Sequence, residues 1–140
     1  MDEKKIKHLE MIMTVIDRMG IYSFLLKGWS VTLVVGIFAL TSKDVPKVYI
    51  SLTFFPAILF WVLDAFYLWQ ERMFRSLYEY VRKRNEDKID FSMDVSKVSD
   101  KKIYGESNTW KNAAFSRTTL LFHGSTLMAI LIFVIILIYS

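Results

Sequence analysis

Three long apolar runs constrain this chain more than any other feature. They cover residues 21–40, 48–69 and 119–139, so they are 20, 22 and 21 residues long. A helix needs about 20 apolar residues to cross the roughly 30 Å hydrocarbon core of a bilayer. Hydrophobic residues make up 54% of the chain, whereas a soluble domain has about 45–50%. The sequence therefore predicts an all-α integral membrane protein with three transmembrane helices.

The polar segments between these runs predict four regions. We expect a cytoplasmic amphipathic helix at residues 1–20, a transmembrane hairpin at 21–69, a cytoplasmic stalk helix and loop at 70–118, and the third transmembrane helix at 119–140. The turn at residues 41–47 is too short to connect anything but antiparallel neighbours. The chain start has no apolar core like that of a signal peptide, so we expect the first run to remain as an anchor.

The N-terminal helix carries a short apolar seam. Its members follow one another at spacings of 3, 4 and 3, and they are Ile6, Leu9, Met13 and Ile16. This spacing is typical of helices that pack on a partner. The helix either lies on the inner membrane surface or packs on the stalk, or else it makes an inter-subunit contact.

The second apolar run is expected to continue as a helical stalk. Residues 69–84 contain neither glycine nor proline, and one continuous helix over residues 48–84 is about 55 Å long. Its apolar side chains beyond the membrane are Met73, Leu77 and Tyr80. Because they have no lipid to face, the N-terminal seam, the loop or another subunit must cover them. We expect them to form a cytoplasmic surface for assembly or for a partner.

The loop after the stalk is polar, but it contains four alternating apolar residues. These are Ile89, Phe91, Met93 and Val95. Such alternation predicts either a short strand or a loop that presses its apolar side chains onto the stalk.

The distribution of lysine and arginine predicts the orientation. Four basic residues precede the first run, eleven lie between the second and third runs, and the turn at 41–47 holds only Lys43 and Lys47. Basic residues collect on the cytoplasmic side of short loops. We therefore expect the bacterial inner membrane, with the N-terminus and the long loop in the cytoplasm and the C-terminus outside.

Composition and motifs argue against an enzyme. The chain has no cysteine and only two histidines, His8 and His123, and it contains no phosphate-binding loop or nucleophile motif. We expect no catalytic residue, no metal and no cofactor, and we interpret His123 as a polar residue at the membrane interface. Acidic residues are interleaved with the basic residues of the loop, so we expect no direct nucleic acid binding.

Two charged residues inside the apolar runs are the main candidates for a functional site. Lys27 lies six residues into the first run, and Asp64 lies five residues before the end of the second. In a hairpin that turns near residue 45 they fall at the same depth. A lone charge costs about 2.5–3.5 kcal/mol at the centre of a span, so two opposite charges should pair. This pair either fixes the register of the hairpin or lines a hydrated path between subunits.

Two further features concern helix packing. Gly28, Thr32 and Gly36 recur every four residues and predict a smooth groove where another helix, from the same or another subunit, approaches closely. Pro56 lies midway along the second run and leaves the carbonyl of Leu52 without its usual donor, which predicts a kink.

The first two runs also resemble a known group of proteins. The segments FLLKGWSVTLVVGIFAL at residues 24–40 and FFPAILFWVLDAFYLWQERMFRSLYEYV at 54–81 are similar to small bacterial membrane proteins of anti-phage defence systems, the SLATT-like membrane effectors. The resemblance covers residues 6–84. It implies assembly of several copies and damage to the inner membrane once a cytoplasmic protein or a signalling nucleotide provides the trigger.

The sequence thus leads to two principal hypotheses. The first is a homo-oligomeric inner-membrane effector that forms or gates a pore, or disrupts the membrane, in abortive infection. The alternative is a non-conducting membrane anchor or regulatory subunit for a soluble defence enzyme. In either case membrane lipid is a partner. A phage-type holin is less consistent with so long a cytoplasmic loop.

Overall fold

The computed structural model describes residues 2–41, 46, 48–98, 102–103 and 106–139. Within them the chain is helical apart from loops and one pair of two-residue strands. The α-helices are, in chain order, α1 (Glu3–Leu40), α2 (Val48–Ser51), α3 (Phe54–Lys83), α4 (Trp110–Ala114) and α5 (Arg117–Tyr139). The strands β1 (Lys102–Ile103) and β2 (Glu106–Ser107) pair in the antiparallel direction between α3 and α4.

Three helical stretches are long and apolar enough to cross a membrane. They are Glu3–Leu40, Val48–Lys83 and Arg117–Tyr139, the second of which combines α2 and α3. The prediction of an all-α chain with three such helices is therefore confirmed. Four residues that enter the orientation argument, Lys43, Lys47, Lys101 and Ser140, lie outside the described residues.

The first long helix, α1, joins the predicted N-terminal helix to the first span without a break over 38 residues. Asp2 caps its start by accepting a hydrogen bond from the backbone N–H of Lys4. Gly20 costs only about 1 kcal/mol in a helix interior, too little to end a helix that packs on both sides of it. The buried side chains of α1 form one stripe: His8, Leu9, Ile12, Ile16, Ser23, Ser30 and Val34. The N-terminal part therefore packs on the rest of the chain.

The second span is broken near its start. A continuous helix with a kink at Pro56 was expected, but α2 ends at Ser51 and α3 begins at Phe54, after a turn. Pro56 cannot donate to the Leu52 carbonyl, which instead accepts the backbone N–H of Phe55 at 3.2 Å. The interruption therefore precedes the proline, which lies in the first turn of α3.

The polar lobe, as we call residues 3–20 of α1, 70–83 of α3 and the connection 84–98, has a hydrophobic core of its own. Its buried members are Leu9, Ile12, Ile16, Leu77, Val81 and Val98. Ile89, Met93 and Val95 from the connection pack against this core, and no strand forms among residues 84–98. Of the two alternatives for this segment, the structure has the loop that presses apolar side chains onto the helices.

Local polar contacts hold this loop in place. Nε2 of His8 lies 3.0 Å from the carbonyl oxygen of Ser92. Phe91, beside it, has a φ of 53°, a left-handed conformation that costs a non-glycine residue about 1–2 kcal/mol. A hydrogen bond from the Arg84 guanidinium, 3.1 Å away, lowers the pKa of the Asp90 carboxyl to about 2. Asp90 is therefore ionised at neutral pH, and its pair with Arg84 closes the start of the loop.

Tryptophan side chains attach the segment before α5 to α3. The indole N–H of Trp61 donates to the carbonyl oxygen of Ala114 at 2.9 Å, and that of Trp69 donates to Asn108 at 3.1 Å. The Asn108 amide also donates to the Ser76 hydroxyl at 2.8 Å. Because these bonds run along α3, they determine where α5 begins and which of its residues face α3.

Candidate functional site

A charged cluster lies where α1, α3 and α5 meet, and the Asp64 carboxylate on α3 is its centre. The ammonium nitrogen of Lys27 on α1 lies 2.6 Å from Oδ2 of Asp64, and Nε2 of His123 on α5 lies 2.8 Å from the same oxygen. The Ser23 hydroxyl donates to Oδ1 of Asp64 and accepts a hydrogen bond from Lys27 at 2.9 Å. These four side chains, which we call the Asp64 cluster, connect the three long helices.

The hydrogen bonds determine the protonation pattern of the Asp64 cluster. As the partner of an ammonium group, the Asp64 carboxylate is an acceptor only, so Nε2 of His123 must carry the proton that faces it. A neutral imidazole has one N–H, and its Nδ1 is then an unprotonated acceptor. The charges of Lys27 and Asp64 cancel each other.

The members of the cluster differ in burial. Asp64 is 0% exposed and His123 is 1% exposed, whereas the side chain of Lys27 is 25% exposed. The Lys27 ammonium group also lies 5.9 Å from the centre of the Phe122 ring. An unpaired charge in this position would be costly, and the opposite charge of its partner offsets that cost. Lys27 is therefore the member through which the cluster meets its surroundings.

Local sequence explains how these side chains come together. Ser23 and Lys27 are four residues apart, so they share one face of α1. The Trp61 ring, three residues before Asp64 on α3, lies nearly parallel to the His123 ring at a centroid distance of 6.1 Å. Since Trp61 is itself bonded to the segment before α5, it orients His123 toward Asp64.

An apolar layer lies two helical turns away from the Asp64 cluster. Val34, Ala57 and Ile130 are buried together, one from each long helix. Each of them is seven residues along its helix from Lys27, Asp64 or His123, which corresponds to about 10 Å. Along the bundle axis, each of the three long helices thus contributes one residue to the Asp64 cluster and one residue to the apolar layer.

Several buried polar atoms near these two levels have no hydrogen-bond partner among the described residues. They are Nδ1 of His123, the hydroxyl of Ser30 and the hydroxyl of Thr53. Ser30 lies between Lys27 and Val34 on α1, and Thr53 lies four residues before Ala57 at the start of α3. Buried polar groups are nearly always hydrogen-bonded, so these atoms call for a partner that the described residues do not supply.

The two charged residues predicted to pair do so in the structure. Lys27 and Asp64 are in direct contact at 2.6 Å.

The apolar side chains of the predicted stalk are covered to different degrees. Met73 and Leu77 are 4% and 1% exposed, and Tyr80 is half-buried beside the core of the polar lobe. The N-terminal seam and the loop, both from the same chain, cover Leu77. Of the three kinds of cover that the sequence left open, the structure therefore has the seam and the loop, and the assembly or partner surface stays a prediction.

The predicted packing groove faces outward. Gly28, Thr32 and Gly36 lie on the exposed side of α1, opposite the stripe that contacts α3. A Cβ atom added to Gly28 or Gly36 would have no neighbouring atom within 4 Å. The residues that the structure describes therefore do not fill this groove.

Sequence reasoning missed two members of the site, Ser23 and His123. His123 was interpreted as an interfacial polar residue, but it is buried and bonded to Asp64. One available signal was its depth, because it lies four residues into the third run, close to the six residues of Lys27 in the first run and the five of Asp64 in the second. The spacing of four between Ser23 and Lys27 was the other signal.

The Asp64 cluster contains serine, histidine and aspartate, but it is not a catalytic triad. In a triad the histidine bonds the serine, whereas here Ser23 and His123 each bond the carboxylate. Across the part of the chain that the structure describes, no three histidine, cysteine or acidic side chains come close enough to hold a metal ion. The ionisable groups of the cluster, Lys27, Asp64 and His123, lie within hydrogen-bond distance of one another through the Asp64 carboxylate.

Similarity to known proteins does not assign a function to this cluster. No protein-family model matches the chain, and neither a curated protein nor a solved structure does.

Proposed function

We propose that this chain is a homo-oligomeric membrane effector whose spans form or gate a pore, or disrupt the membrane. The observation that carries the proposal is the buried Asp64 cluster, which places an ion pair and a histidine between three helices apolar enough to cross a membrane. An inert anchor has no need of ionisable groups in its spans. Such groups are rare there, and they mark ion pathways and proton relays.

The exposed groove on α1 supports assembly of several copies. Small residues allow two helices in a membrane to approach closely. Thr32 is exposed, and a Cβ atom at Gly28 or Gly36 would meet nothing within 4 Å among the described residues. Three transmembrane helices are too few to enclose an aqueous channel. In an oligomer that packs through this groove, helices from several copies line the channel.

The bacterial inner membrane is the proposed location, and its lipid is a partner. The N-terminal end of α1 and the C-terminal end of α3 lie together, since Lys5 donates to the Arg84 carbonyl at 2.8 Å. The basic residues of both segments therefore lie on one side, which we assign to the cytoplasm. The polar lobe there receives the trigger, a cytoplasmic protein or a signalling nucleotide. The role in anti-phage defence rests on the resemblance of residues 6–84.

The orientation leads to a direct prediction. A reporter that is active only in the cytoplasm should be silent when fused after Ser140, and it should be active when inserted into the loop near Asp100. The reason is that lysine and arginine near the spans are retained on the cytoplasmic side. The opposite pattern of reporter activity would overturn the assignment.

Membrane leakage provides the test of the function itself. Strong expression, or activation by the natural trigger, should depolarise the inner membrane or admit an impermeant dye. Gly36→Leu should abolish this leakage without lowering expression, because the new side chain meets nothing within its own protomer. Val35→Leu is the matched control, since Val35 is 57% exposed and lies outside the groove.

The alternative is a non-conducting anchor or regulatory subunit for a soluble defence enzyme. One observation favours it, because Asp64 is completely buried and both its oxygens are bonded within the protomer, as in a structural link. Normal membrane potential under full activation, with an attached enzyme still working, would support the anchor and exclude the pore.

A further inference from the structure

We propose that the Asp64 cluster is a proton-transfer site and that the species crossing this bundle is the proton. The inference rests on the proposed function, since it names what the membrane effector conducts. It also moves the path from the space between subunits to the interior of each protomer, where Asp64 and His123 are buried.

His123 has the two ends that a proton relay requires. Its Nε2–H donates to Asp64 across 2.8 Å, and its buried Nδ1 has no partner among the described residues. A proton arriving at Nδ1 binds to the lone pair there, and the electron pair of the Nε2–H bond stays on the ring as that proton leaves. Oδ2 of Asp64 receives the departing proton. The imidazole ends neutral, and the carboxylate has become a neutral carboxylic acid.

Lys27 completes the transfer. Once Asp64 is protonated, the Lys27 ammonium group has lost its counter-charge 2.6 Å away and releases its proton more readily. Its side chain is 25% exposed, so this proton leaves through the open part of the cluster. The resulting neutral amine then takes the proton from Asp64, which restores the ion pair. One proton has then been taken up at Nδ1 of His123 and one released from Lys27, and a 180° rotation of the imidazole ring returns an N–H to Asp64 for the next transfer.

The polar atoms beyond the cluster extend the path along the bundle. The buried hydroxyls of Ser30 and Thr53 both donate and accept hydrogen bonds, and neither has a partner in the described part of the chain. They lie on the two sides of the apolar layer of Val34, Ala57 and Ile130. Water joined to these hydroxyls carries protons, whereas the apolar layer excludes water and acts as the gate.

Flux measurements on the full-length protein test this inference. The protein is reconstituted in liposomes of phosphatidylethanolamine with a minor share of phosphatidylglycerol, and an internal pH dye follows proton entry under a pH gradient. Potassium efflux and the release of a trapped fluorescent dye are recorded in parallel. We expect proton entry above that of empty liposomes, slower in D2O than in H2O, with the trapped dye retained.

Two variants with matched controls locate the path. His123→Gln keeps an amide that donates to Asp64 but has no basic nitrogen. It should lower proton entry by at least about tenfold, because a positioned acid–base group speeds proton transfer by about 10²–10⁴. His8→Gln, which changes the buried histidine of the polar lobe, should leave the flux unchanged. Ile130→Ser should raise proton entry several-fold by hydrating the apolar layer, whereas Ile136→Ser, at a residue that is 59% exposed, should not.

The outcomes separate the two proposals. Proton entry that is equal in the wild type and in folded His123→Gln would overturn the relay. Release of potassium and dye that is insensitive to His123 and to Ile130 would also overturn it, while leaving the pore in place. The absence of any conductance, in the wild type and in Ile130→Ser alike, would refute the proposed function and the relay with it.

Discussion

Replacing Asp64 with asparagine should lower the free energy of unfolding in detergent by about 3–5 kcal/mol, the usual cost of removing one partner from a buried ion pair. The loss is large because Asp64 is the shared acceptor of Lys27, His123 and Ser23. Without its negative charge, the Lys27 ammonium group has no counter-ion in the cluster. Thermal unfolding followed by circular dichroism gives the measurement.

The loss should be asymmetric between the two partners. Lys27→Met should cost less than Asp64→Asn, because the remaining Asp64 carboxylate keeps its hydrogen bonds from Ser23 and His123. The double variant should recover part of the summed loss, as coupled neighbours do. If the two losses simply add, the pair contributes no coupling energy.

A surface ion pair provides the control for this cycle. Arg82 and Glu79 on α3 are 2.7 Å apart, and their side chains are 54% and 50% exposed. Exposed pairs contribute only about 0.2–1 kcal/mol, since water screens them and their side chains lose entropy. Glu79→Gln should therefore change the unfolding temperature little, which separates the effect of a buried charge from that of any lost ion pair.

Leu77→Ala should destabilise the polar lobe by about 2–5 kcal/mol, the range for deleting most of a fully buried leucine side chain. Leu77 is 1% exposed and packs with Ile12 and Val81 between α1 and α3. The effect should stay within the polar lobe, because the apolar layer of Val34, Ala57 and Ile130 forms a separate core. Hydrogen exchange should accelerate over residues 84–98, while the spans stay inserted.

Met13→Ala is the matched control for Leu77→Ala. Met13 belongs to the predicted seam but is 39% exposed, and surface substitutions usually change stability by less than about 0.5 kcal/mol. If Leu77→Ala left the exchange of residues 84–98 unchanged, the loop would not depend on this core. A lower oligomer mass at unchanged exchange would restore the stalk as an assembly surface.

Local rules account for the features that could be predicted from the sequence. Three runs of about 20 apolar residues are sufficient to predict three spans, since the thickness of the hydrocarbon core sets that length. A short turn between the first two runs places Lys27 and Asp64 at one depth, and the structure has them in contact. The end of α3 at Lys83 agrees to within a residue with the helical pattern that stops at Arg84.

Packing decided what the pattern left open along the chain. The alternation of residues 89–95 fits a strand or a loop equally well. In the structure the segment is a loop, and Ile89, Met93 and Val95 pack against the core around Leu77. The same core covers the stalk side chains that were expected to face a partner. Apolar character predicts that a side chain is covered, but it does not predict which part of the chain covers it.

The number, length and helical character of the spans were thus determined by the sequence itself, because they depend on residues that are neighbours along the chain. The position of the third span was decided only by the tertiary structure. The connection between α3 and α5 is long, so the sequence does not predict which face of α5 packs on α3. In the structure the hydrogen bonds of Trp61 and Trp69 attach that connection to α3. His123 on α5 contacts Asp64, which is 59 residues away along the chain, and completes the site.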